Sequence, residues 1–312
     1  MKKPRIVFMG TGEIALPAFR WLLDSATPPV ALVTQPDRPA GRRRELKPSE
    51  LKGLAMQAEV PVLQPEKVRD VRFLDELAQI APDLVVVMAY GQILPQRLID
   101  LPPLGCVNLH ASLLPKYRGA ACIQAALDAG DAETGITLMH VVKALDAGDV
   151  ILSHSIPISS TDTGGTLHDR LAEVAREVLA DGLPGLLEGT APRTPQEELG
   201  EASHVPKLDR EDGRLDWRNS AERLQRRIRA YHPWPGCWCE LPGGKRLKIV
   251  SASESCEERG EPGQLFENSE GPVVTCGEGA LQLGEVQAEG SRSMSAADWW
   301  RGFRGHPPER LH

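Results

Sequence analysis

Apolar positions along the chain follow two different spacings, and the order in which these alternate indicates the fold. β-rich apolar runs at residues 5–9, 30–34, 83–89, 106–109 and 137–142 read as strands. Among them, residues 14–23, 50–58, 68–80, 121–129 and 166–187 repeat apolar positions every three or four residues, as helices with one buried face do. This alternation predicts an α/β fold with a doubly wound, Rossmann-like, mostly parallel sheet. Residues 188–207 lose periodicity and turn to Pro, Thr, Glu and Gln, the composition of an interdomain linker. Beyond them, residues 220–231 predict a helix with Ser220 as N-cap. Five short strands follow at 238–241, 245–251, 263–267, 273–276 and 281–287, separated by Gly and Pro. Such a series predicts a small OB-like β-barrel. The expected organisation is a first domain at 1–187, a linker at 188–207 and a second domain at 208–312.

Composition narrows the class without changing this picture. With 312 residues, 41% hydrophobic and 25% charged, the chain is an ordinary globular protein in which each domain can bury its own core. The formal charge of −7 argues against non-specific coating of DNA or RNA, and leaves room for a selective partner met by local basic patches. Two such patches exist, residues 38–48 and 214–229, each with a net charge of +4. Six cysteines, at 106, 122, 237, 239, 256 and 276, form no CxxC pair and have no His spaced to complete a zinc site. They read as free thiols in a reducing cytoplasm, and no metal is expected. The longest apolar run, 84–89, is too short to span a membrane, and the run at 6–9 is too short for a signal peptide.

Two stretches carry candidate chemistry. Gly10-Thr11-Gly12-Glu13-Ile14-Ala15 matches GxGxxA, with Asp37 downstream, which suggests a dinucleotide site. Asp37 sits between Pro36 and Arg38-Pro39, in a turn, and this favours reading the glycines as a tight strand-to-helix turn without a dinucleotide. The second stretch surrounds Asn108 and His110. Strand alternation puts both on one face at the carboxyl end of a strand, where open α/β sheets place ligands. A carboxamide beside an imidazole suits acyl transfer, since one can hold a developing oxyanion while the other handles a proton. Asp146 follows the next predicted strand, and a parallel neighbour would deliver its loop to the same edge as His110. No Ser or Cys nucleophile is required if the acceptor supplies an amine.

Asn108-x-His110-x-Ser112-Leu113-Leu114-Pro115-x-x-Arg118-Gly119-Ala120, followed by Leu145-Asp146-x-Gly148-Asp149, resembles the signature of enzymes that use 10-formyltetrahydrofolate as formyl donor. Residues 35–42 and 130–135, Asp216-Trp217 and His232-Pro233-Trp234-Pro235 are similar to the members of that family whose acceptor is initiator methionyl-tRNA. The similarity runs essentially end to end. It implies catalytic positions at Asn108, His110 and Asp146, and a folate-binding segment at Ser112, Leu113, Leu114 and Pro115. It also implies a tRNA-sensing loop containing Arg42 and a barrel that helps hold tRNA. Arg43, Lys207, Arg226 and Arg227 join Arg42 as candidate phosphate contacts. Cys122 departs from the pattern, standing where the family usually has Pro. Three other readings stay open: formyl transfer to an amino sugar nucleotide or purine precursor, a nicotinamide oxidoreductase, and a non-catalytic OB-type RNA-binding protein.

Overall fold

Ile6–Gly10 and Leu84–Met88 are buried at every position, as strands in the middle of a sheet covered on both faces must be. The computed structural model that shows this describes residues 3–40, 45–303 and 307–312. The elements run β1 (Ile6–Gly10), α1 (Leu16–Asp24), β2 (Ala31–Val33), β3 (Arg38–Ala40), β4 (Glu45–Lys47), α2 (Glu50–Gln57), β5 (Val62–Leu63), α3 (Val71–Ile80), β6 (Leu84–Met88), α4 (Gln96–Ile99), β7 (Cys106–His110), β8 (Arg118–Gly119), α5 (Cys122–Ala129), β9 (Glu133–His140), β10 (Val150–Pro157), α6 (Gly164–Glu188) and β11 (His204–Val205). Seven of the strands form one sheet in the order β10-β9-β7-β6-β1-β2-β5. The five strands from β7 to β5 are parallel, whereas β9 and β10 are antiparallel. On one face Val7, Met9, Val85 and Val87 pack with Phe73, Leu77 and Leu98, all buried. Polar side chains cap two of the helices: Ser49 accepts from the Lys52 N–H at the start of α2, and Asp70 from the Arg72 N–H at the start of α3.

Contacts divide the chain into two units, and no single cut separates them. The first unit comprises Met1–Cys122, Glu133–Pro157 and His168–Val205; the second comprises Ile123–Ala132, Ile158–Leu167 and Pro206–His312. The stretch expected to be a linker therefore belongs to the first unit as far as Val205. Thr194 bridges Val150, Gln196 is buried, and β11 pairs in parallel with β8. Its sequence lacks periodicity because backbone pairing and one buried amide hold it, with no apolar face involved.

In the second unit α7 (Ala221–Ala230) starts at the expected N-cap, where Ser220 accepts from the Arg223 N–H. The strands β12 (Cys237–Glu240), β13 (Arg246–Ser255), β14 (Leu265–Asn268), β15 (Gly271–Thr275) and β16 (Ala280–Ala288) form an antiparallel sheet in the order β12-β13-β16-β15-β14. The last residues of the chain bond to both edges of this sheet. The Leu265 N–H donates to the Glu309 carbonyl at 2.9 Å, and Glu240 and His312 exchange backbone hydrogen bonds at 2.7 and 2.9 Å. Each edge strand thereby gains backbone partners from the end of the chain.

Candidate active site

β7 alternates faces, so Asn108 and His110 point the same way from its carboxyl half. Asn108 is half-buried, and its carboxamide has no hydrogen-bond partner among the described residues. His110 is buried and engaged at both ring nitrogens. Nε2 lies 2.9 Å from the Tyr117 carbonyl oxygen, and Nδ1 lies 3.7 Å from Asp146 Oδ2. A carbonyl can only accept, so the proton of the neutral ring sits on Nε2 and the Nδ1 lone pair faces the carboxylate. At 3.7 Å that second contact is electrostatic and becomes favourable when Nδ1 takes a proton. The Tyr117 carbonyl fixes the tautomer.

Asp146 reaches this position by a route different from the one expected. β9 runs antiparallel to β7, and its last residue, His140, pairs with Val107. The loop from 141 to 149 therefore leaves beside the amino end of β7, about 10 Å along the strand from His110. It doubles back to bring the carboxylate to the imidazole. Asp146 adopts the left-handed region, with φ of 49°. Its Oδ2 accepts from the Gly119 N–H at 2.9 Å. Gly119 has φ of 112°, and a Cβ there would overlap the Val205 carbonyl oxygen. The Gln196 amide donates to the carbonyls of Asp146 and Gly148, both at 2.8 Å, while its Oε1 accepts from Arg118 Nε at 2.9 Å.

The segment from Ser112 to Pro115 spends its polar side chain internally. Ser112 is fully buried and its Oγ donates to the Lys116 carbonyl at 2.6 Å. Thr137 Oγ1 donates to the Ser112 carbonyl at 2.7 Å and accepts from the Leu114 N–H at 3.1 Å. Leu114 packs against Met139 and Val150, Pro115 is buried, and Leu113 lies over Gly135. What this segment presents to a ligand is shape and backbone, with no side-chain hydroxyl.

The glycine turn at residues 10–12 has a packing role. A Cβ on Gly10 would meet the Met88 carbonyl and the Phe8 ring at 2.9 Å, and one on Gly12 would meet Ala89 at 3.1 Å. Asp37 is tied to Lys52 Nζ at 2.6 Å and to Gln64 at 2.8 Å, and these bonds hold its carboxyl below the usual range. That pairing occupies the carboxylate that a ribose would need. Cys106 lies in the core, where burial pushes its thiol up to about 12 and leaves it unreactive.

Among the expected tRNA contacts, Arg42 and Arg43 lie outside the described residues, and Lys207 is exposed. Arg227 is bidentate to Asp128, with Nε and Nη2 at 3.3 and 2.9 Å from the two carboxylate oxygens. Arg226 Nη1 meets Glu222 at 2.6 Å. Both arginines are thus held within the second unit. The reading from sequence missed the Tyr117 carbonyl and Gln196. Neither leaves a local signal, since one acts through its backbone and the other sits in an aperiodic stretch.

Comparisons with known proteins identify the family. The Formyl transferase family matches residues 4–183, and the Formyl transferase C-terminal domain matches residues 207–304. The chain is 48% identical to a methionyl-tRNA formyltransferase of Akkermansia muciniphila, covering 97% of both chains. Its fold is similar to that of HypX from Aquifex aeolicus, solved in complex with tetrahydrofolic acid: the TM-score is 0.66 and the identity 18%, over 99% of this chain and 49% of HypX. It is also similar to an N-formyltransferase from Helicobacter canadensis solved with folinic acid and dTDP-3-aminofucose: the TM-score is 0.67 and the identity 16%, over 93% of this chain and all of that one. Matched by both family models and nearly half identical to the Akkermansia muciniphila relative over 97% of its length, the chain belongs to the methionyl-tRNA formyltransferase family.

Proposed function

We propose that the chain transfers a formyl group from 10-formyltetrahydrofolate to the α-amino group of methionine esterified to initiator tRNA, with Asn108, His110 and Asp146 as the working residues. The observation that carries this is the uncommitted Asn108 carboxamide two residues from an imidazole whose Nδ1 faces a carboxylate. The folate co-substrate supplies a formyl carbonyl on a nitrogen that leaves once protonated. Asn108 donates its N–H to the carbonyl oxygen as negative charge gathers there. With Nε2 committed to Tyr117, Nδ1 is the ring atom that takes the amine proton, and Asp146 stabilises the imidazolium that results. The same proton then goes to the leaving nitrogen, so the ring ends as it began. Ser112, Leu113, Leu114 and Pro115 hold the folate by shape and backbone.

Phosphates of the tRNA are met by Arg42, Arg43, Lys207, Arg226 and Arg227. The last two are also held by Asp128 and Glu222, so their share in binding is smaller and their share in stability larger. Among the described residues no helix is long and apolar enough to cross a membrane, and we place the reaction in the cytoplasm.

The test offers charged initiator tRNA, charged elongator tRNA, free methionine and an amino sugar nucleotide as competing acceptors. Formyl transfer to the first alone is expected, and transfer to the sugar in preference would overturn the assignment. In the same assay Asn108→Ala should lower kcat about a hundredfold or more, with the folate KM nearly unchanged. An unaltered kcat would remove Asn108 from the chemistry.

A further inference from the structure

Both groups that face the His110 ring are held from one stretch of chain, residues 194–205. Ser203 Oγ accepts from the Tyr117 N–H at 2.8 Å, and the Ser203 carbonyl accepts from the Arg118 N–H at 2.8 Å. These bonds, with the β8–β11 pairing, fix the Tyr117 carbonyl that binds Nε2. Gln196 acts on the other side of the ring. It is 1% exposed, and both amide protons and its carbonyl are used: the protons by Asp146 and Gly148, the carbonyl by Arg118. The Arg118 guanidinium sets which way the amide points, and the amide clamps the backbone on either side of Ala147. Asp146 needs such a clamp because it sits in a left-handed conformation on a loop that doubles back along the sheet. Buried this deeply, Gln196 cannot touch a substrate.

We infer that Gln196 is a positioning residue for formyl transfer: it acts through Asp146 by fixing the distance between that carboxylate and Nδ1 of His110. The inference rests on the reading of Asp146 and His110 as the proton-handling pair. It makes the stretch between the sheet and the second unit part of the catalytic apparatus, with Arg118, Gln196 and Asp146 forming one chain of hydrogen bonds.

A double-mutant cycle tests it. Gln196→Met keeps the length of the side chain and removes all three hydrogen bonds. It should lower kcat about tenfold to a hundredfold, leave the KM for folate and for tRNA nearly unchanged, and shift the pH at which kcat is half-maximal. In an Asp146→Asn background the same change should cost little more, because the group it positions is already gone. A loss of equal size in both backgrounds, or a uniform scaling of the rate at every pH, would make Gln196 merely structural and overturn the inference. Asp146→Asn with full activity would instead sink the reading of the pair, and the inference with it. If the Met variant does not fold, Gln196→Glu retains the acceptor for Arg118, loses both N–H donors and carries the same cycle.

Discussion

At the scale of single residues, two histidines show what partners do to an imidazole. His110 has a carbonyl on one nitrogen and a carboxylate facing the other. His140, at the end of β9, has surroundings in which burial and a cation dominate. It is buried and its Nδ1 accepts from Arg193 Nη2 at 3.3 Å, while the Asp149 carboxylate and the Pro192 backbone offset these effects only in part. Burial first and the Arg193 charge second hold its pKa below the ordinary 6.5. A neutral buried His contributes its full stability above that ordinary value and loses it as pH falls through the lowered folded value, because the unfolded chain binds the proton more tightly. Urea unfolding at about pH 7.5 and about pH 5.5 should therefore show a drop in stability that is smaller in His140→Gln. Equal drops in variant and wild type would assign the pH dependence to another group. Of these features, only the side-by-side placement of Asn108 and His110 was legible in the sequence, because a strand's two-residue period is local. The partners of the two rings come from residues distant in the chain.

At the scale of elements, strand and helix types follow the periodicities closely, while strand direction does not. β10 was missed although Leu152, His154 and Ile156 alternate with more exposed neighbours, the pattern of an edge strand. Once β10 returns beside β9 as a hairpin partner, β9 itself is antiparallel to β7. The parallel-loop argument for Asp146 fails, although the carboxylate still arrives. The loop that delivers it depends on Gly148, where a Cβ would overlap the His140 carbonyl oxygen. Gly148→Ala is expected to destabilise the first unit by about 1–3 kcal/mol and to lower kcat by moving Asp146. Gly53 provides the contrast, since it lies inside α2 with open space around a would-be Cβ. Gly53→Ala should stabilise by about 0.5–1 kcal/mol and leave the rate alone. Urea midpoints and kcat measured on both variants check the pair, and a Gly148→Ala variant as stable and active as wild type would refute the account of the loop.

At the scale of the whole molecule, the basic stretch at 214–229 illustrates how charge in the sequence differs from charge available to a partner. Asp128 lies about a hundred residues before Arg227, yet its carboxylate takes both arms of that guanidinium and raises its pKa above the ordinary arginine value. Arg227→Ala should therefore cost about 1–3 kcal/mol of stability in urea unfolding, with a modest change in the salt dependence of tRNA use. A flattened salt dependence with stability intact would return Arg227 to the tRNA surface. What the sequence determined by itself was the kind of most of the longer elements, the two-domain plan, the family and the paired presentation of Asn108 and His110. Each of these rests on local periodicity or on a contiguous motif. Only the tertiary structure decided the direction of β9, the tautomer of His110, the engagement of Arg227 and the pairing of residues 194–205. These depend on which remote backbone and side-chain groups meet, and chain-local spacing does not encode such meetings.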